Sequence, residues 1–213
     1  MKYIATFFFA AVLLVGFSAC QKEIGLESPI VDPNNPGSGN TDKTIPGTYD
    51  FVGLVATGTS AVSYTAAGIQ ISSTTYIDYK TKNNAGICVF TDKDIAGTNI
   101  KYEIDTTLNV VIKTTGLPSE TQSFPFAYTH GPASANSSYT LKGTDSIVFA
   151  TPVFSSGDVP NATLPSPSAS HIGWSGDTLI FTSALKGTYA QEMEGIPVQQ
   201  TINITSQVKL KKK

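Results

Sequence analysis

"NIKYEIDTTLNVVIKT", Asn99 to Thr114, decides how this chain folds. Ile100, Tyr102 and Ile104 alternate with Lys101 and Glu103. Leu108, Val110 and Ile112 alternate with Asn109 and Lys113. A period of two puts apolar side chains on one face of a strand and polar ones on the other. Asp105-Thr106-Thr107 stands between the two runs and predicts a hairpin turn there.

The same period recurs outward from this stretch. Ile69, Ile71, Ile77 and Tyr79 share one parity, against Gln70, Ser72, Asp78 and Lys80. Near the end, Ile202, Ile204, Val208 and Leu210 alternate with Asn203, Thr205, Gln207 and Lys209. "KTKNNAG" (80–86), "TDKDIAGTN" (91–99) and "TGLPSE" (115–120) read as the turns between strands. "ALKGTYAQEMEG" (184–195) allows one short helical turn at most. The expected fold is all-β and antiparallel, with about eight to ten strands over residues 47–213. Strands in this number must close into a barrel or pack as two sheets to hide their edges.

Two segments echo each other. "LKGTDSIVFAT" (141–151) and "GWSGDTLIFTS" (173–183) each run Gly, Asp, Ser or Thr, then an apolar trio ending in Phe. Gly suits a positive-φ turn position, Asp bonds the turn backbone, and the trio enters the sheet. "TPVFSSGDVPNATLPSPSAS" (151–170) interrupts the strands as a long Pro-rich loop, a kind that is usually functional or disordered.

Composition excludes several classes. Lys and Arg total 14 against 16 acids, a net charge of −2, and every basic residue is Lys. There is no basic field for nucleic acid and no guanidinium fork for phosphate. Gln21 to Pro46 is rich in Pro, Gly and Asn and lacks apolar periodicity, so 20–46 reads as a flexible tether with a reach of about 25–30 Å. Asp32, Asn34, Asn35 and Asp42 within it do not match the spacing of a calcium loop.

The start of the chain carries an address. Lys2 precedes an uncharged apolar stretch from Ile4 to Gly16, too short to span a bilayer. Phe17-Ser18-Ala19-Cys20 follows, then Gln21-Lys22-Glu23. This order resembles a bacterial lipoprotein signal over 1–19, with Phe17 where Leu is commoner. The resemblance implies that Cys20 becomes the mature N-terminus and carries acyl chains, palmitate among them, as the membrane anchor; multiple chains hold stably. The Lys-plus-acid triplet is similar to that of surface-exposed outer-membrane lipoproteins of Bacteroidetes-type bacteria.

Residues 47–213 also resemble the lipocalin-like barrels of such lipoproteins. The residues concerned are Gly47-Thr48-Tyr49 opening the first strand, Gly176-Asp177-Thr178-Leu179 opening a late one, and the terminal "VKLKKK". Tyr49 stands where lipocalins have Trp, and their helix after the last strand is missing. An immunoglobulin-like sandwich is the alternative.

Little reactive chemistry emerges. His130 continues the period of Phe124, Phe126 and Tyr128, and His171 ends the long loop. Neither has a second His or Cys at metal spacing, so no metal or cofactor is expected. A Ser-His-Asp set assembles in space and is not decided by order, but no Gly-x-Ser-x-Gly elbow, P-loop or dinucleotide glycine pattern occurs. Asp92/Asp94 and Glu192/Glu194 fall in turn-like segments and read as solvated charge. Cys88, in "AGICVFT", reads as a buried inert thiol. Trp174 beside the long loop is the candidate ligand contact, as a stacking face for a sugar or a cap on a cavity. Asp-Ser/Thr-apolar triplets resemble the O-glycosylation sequon of Bacteroidetes exported proteins and mark Ser146, Thr178 and Thr106; the modification needs a solvent-facing hydroxyl at a strand's first residue. The reading is a non-enzymatic, surface-tethered binding module for a small or glycan-like ligand. A structural envelope protein without a ligand and a hydrolase with an unrecognised site are the alternatives.

Overall fold

The computed structural model describes residues 44–151, 153–154, 169–193 and 195–213. The lipidation signal at Cys20, most of the tether, Glu194 and residues 155–168 of the long loop lie outside the described residues. Nine antiparallel strands form one sheet: β1 (Gly47–Ala66), β2 (Ile69–Lys80), β3 (Lys82–Phe90), β4 (Asp94–Thr114), β5 (Glu120–Lys142), β6 (Ser146–Phe149), β7 (Ala169–Ser175), β8 (Thr178–Met193) and β9 (Ile196–Lys212). Nearly every neighbour is sequential, and β9 returns to pair with β1 from Tyr49↔Lys212 to Tyr64↔Val198. The result is a barrel-like all-β ring and not the sandwich alternative.

β2 and β3 behave as one bent strand. Both run antiparallel to β1, and both pair with β4. The bend falls at Thr81, where β1 answers with a bulge between Phe51 and Gly53. That bulge flips the inward parity of β1: Tyr49 and Phe51 are buried before it, Leu54 and Ala56 after it. Thr81 is itself buried. Its N–H donates to Leu54 O at 2.9 Å, and its Oγ1 accepts from Leu54 N–H at 2.8 Å.

Closure is tightest at Gly58. A Cβ built there would stand 2.7 Å from Ile204 Cα, and the residue has φ +148°. Only glycine allows β1 and β9 to approach so closely in that conformation.

Several expected turns are strand. Asp105-Thr106-Thr107 lies inside an unbroken β4. The reason is that the even parity never lapses: Ile104, Thr106 and Leu108 face the same side, opposite Tyr128, Phe126 and Phe124. Thr106 Oγ1 donates to Asp78 O at 3.3 Å, and Lys82 pairs with Asp105 at 2.7 Å, so both polar residues have strand-compatible partners. "KTKNNAG" turns only by the bend at Thr81, and "TDKDIAGTN" only at Thr91–Lys93; their remainders are irregular strand. "ALKGTYAQEMEG" continues β8 to Met193, because Leu185, Gly187 and Tyr189 alternate inward against exposed Lys186, Thr188 and Ala190.

The echoed segments are hairpins, as read. Gly143 (φ 66°) and Gly176 (φ 58°) take the positive-φ positions, and Ser146 and Thr178 open β6 and β8. Phe149 and Phe181, which end the two trios, meet edge-to-face at 5.6 Å. Around them Tyr49, Phe90 and Tyr139 complete an aromatic core in the end of the barrel nearest the tether. Val153 is buried, and Phe154 stacks on Phe51 at 6.1 Å, filling the middle of the interior. Ile45 is buried in the same core, and its carbonyl accepts from Tyr49 Oη at 2.7 Å, so the packed domain begins two residues before Gly47.

Candidate functional site

The two ends of the barrel differ. Near the tether, β6 and β7 complete the ring between β5 and β8. At the far end β6 and β7 have run out. There, over residues 120–135, β5 bonds β4 on one side and has no ladder partner on the other among the described residues. Among the described residues the only ladder partner of β8 beyond Thr182 is β9. Pro125 and Pro132 lie in this part of β5, and such an edge is where a sheet tolerates proline.

The inner face of this open half has a layered chemistry. Phe124, Phe126, Tyr128 and His130 climb the inner side of β5, as their spacing predicts. Phe126 is buried, Tyr128 and His130 are half-buried, and Phe124 is 36% exposed at the opening. His130 stacks on Tyr102, with ring centroids 4.8 Å apart and planes at 12°, and its Nδ1 lies 3.4 Å from Tyr128 Oη. Tyr79 belongs to the same group. Burial, with Tyr128 adding to it, pushes its hydroxyl up to about 12, so it remains a neutral phenol.

Beyond these aromatic residues lies a polar layer. Cross-strand register aligns Tyr189, Gln200, Val62, Ser73 and Ile112 in one row. Gly187, Ile202, Ser60, Thr75, Val110 and Gln122 form the next. Ser60 and Gln200 are buried, and Gln200 Nε2 donates to Ser60 Oγ at 3.4 Å. Tyr189 Oη is buried and has no hydrogen-bond partner among the described residues. Among the described residues the one carboxylate on this face is Glu120, at the rim opposite Ile112.

Other candidate residues fall elsewhere. Trp174 faces inward opposite Leu179 and lies 6.4 Å from the Tyr49 ring, at the tether end. Leu210, level with it, is ten residues from Gln200 on β9, roughly 30 Å at 3.3 Å per residue, so Trp174 is not brought to the polar layer. A shallow cleft of about 430 Å³ lies on β3, β4 and β5 near Thr91, lined by residues including Val89, Ala96, Asp94, Asn136 and Ser138. It has no aromatic lining.

His171 joins Asp145 and Ser146 on the outer face. Its Nδ1 lies 3.5 Å from one Asp145 oxygen, and Ser146 Oγ donates to the other at 3.1 Å. The carboxylate thus sits between serine and histidine, so the imidazole is not placed to take the serine proton. Asp92 and Asp94 flank a turn in which Thr91 Oγ1 accepts from the Asp94 N–H at 3.0 Å, and both are exposed. Glu192 is exposed. Cys88 is fully buried, and burial pushes its thiol up to about 12. Among the described residues no cluster of His, Cys, Asp and Glu suits a metal ion.

Of the three triplet hydroxyls, Ser146 and Thr178 are strand-first residues at outward parity and half-exposed. Thr106 is mid-strand at inward parity, so it does not meet the condition of a solvent-facing strand start. The polar layer was not anticipated. Its signal is that Gln200 and Ser60 occupy inward parity between apolar neighbours, as in Val198-Gln199-Gln200-Thr201-Ile202.

No family model, curated protein or solved structure matches the chain. The residues themselves carry the functional reading.

Proposed function

We propose that this chain is a lipid-anchored protein of the bacterial outer membrane, held through Cys20 and exposed at the cell surface. Its β-domain acts there as a non-enzymatic binding module for a small or glycan-like ligand. One observation carries the binding reading. Phe124, Phe126, Tyr128 and His130 form an inward aromatic row on the part of β5 that has no second ladder partner among the described residues, with Phe124 exposed at the opening and the three rings behind it buried or half-buried. Aromatic faces open at one end and packed at the other offer a ligand both area and a rigid backing. The row lies at the end of the barrel away from Gly47, so the tether would hold it outward from a membrane.

The test uses aromatic ¹H–¹³C spectra of the full-length chain. Phe124, Tyr128 and His130 are followed during a screen of saccharides, aromatic metabolites and fatty acids. A ligand that shifts these signals, and fails to do so after Tyr128→Ala in a folded variant, supports the reading. Ligands that shift only residues around Trp174 or Thr91 would move the site.

The second reading, an envelope-interaction protein without a small ligand, draws on the packed middle of the barrel. Val153 and Phe154 fill it together with Phe51 and Tyr102. An unresponsive aromatic row would favour that reading.

A further inference from the structure

We draw no further inference here: the strongest candidate, the pair of sheet edges that β5 over residues 120–135 and β8 over residues 183–193 leave without a second ladder partner among the described residues at the open half of the barrel, carries none, because nothing in the structure shows what covers them.

Discussion

Leu54 donates its backbone N–H to Thr81 Oγ1 at 2.8 Å, while Thr81 N–H returns a bond to Leu54 O at 2.9 Å. A side chain therefore supplies one half of a ladder exchange at the point where the β2–β3 strand bends. The bend lets one strand serve β1 along its whole length while the barrel curves. Thr81→Val keeps the shape but leaves a buried N–H unpaired, at a cost of about 1–3 kcal/mol. Thr81→Ser restores the acceptor and should recover most of the loss. Urea unfolding measures both, and equal midpoints for Val and Ser would show that the hydroxyl does not hold the bend.

Ile204 is 3% exposed on β9, whereas Asn203 beside it is exposed. Ile204→Ala should cost about 2–5 kcal/mol. Asn203→Ala should stay within about 0.5 kcal/mol. Thr205, expected from sequence to be the exposed neighbour, is half-buried and makes a poorer control. Lys211 and Lys212 pair with β1, and Lys211 also with β8. Lys213 reaches Asp50 at 3.0 Å. β9 thus has neighbours on both sides, and its terminal lysines help to seal the ring.

Tyr189→Phe removes a buried hydroxyl that has no partner among the described residues. Stability should be unchanged or raised by up to about 1–3 kcal/mol. Most Tyr→Phe changes at bonded hydroxyls go the other way. A clear loss of thermal stability would mean that the hydroxyl is satisfied within the protein.

Alkaline pH should unfold the barrel through its tyrosines. Burial pushes Tyr49 and Tyr79 up to about 12 from an ordinary value of 10.0. The folded state then holds protons that the unfolded state has released. Stability is intact below about pH 10 and falls as the pH rises toward 12. Tyr79→Phe should flatten that fall. Urea midpoints that stay level between pH 9 and 11.5 would contradict the burial of both hydroxyls.

Cys20→Ser should release the protein from membranes with its β-domain still folded, since the packed core begins at Ile45. Mass spectrometry of the native N-terminal peptide gives the complementary measurement, with a diacylglyceryl-modified Cys20 expected. An unmodified thiol, or a mutant that remains in the membrane fraction, would point to another anchor.

Much of the fold was legible because inward parity survives along β4, β5 and β9, and parity needs no knowledge of partners. Ile100 to Ile112, Phe124 to His130 and Ile202 to Leu210 all face as their spacing implies. The errors have one physical source. Polar and Gly-containing clusters read as turns, but in strands this long the cluster at 82–86 sits at an irregularity that redirects the strand without ending it, and Asp105-Thr106-Thr107 simply continues the strand's parity. The site was half legible. The aromatic row follows from period two, whereas Ser60 and Gln200 looked like interruptions of the apolar pattern, and only the cross-strand register brings them beside Tyr189.

All of this rests on β1 and β9 closing the sheet, and the contact of Gly58 with Ile204 is its most exacting point. Gly58→Ala puts a Cβ into the β9 backbone at a strained φ of +148°. Gly131→Ala, on β5, meets nothing within 4 Å. Urea unfolding with amide hydrogen exchange on both variants is the direct test. The closed barrel predicts a large drop in midpoint and lost protection along β1 and β9 for Gly58→Ala, with Gly131→Ala close to wild type. Equal midpoints and intact β9 protection in both would contradict closure.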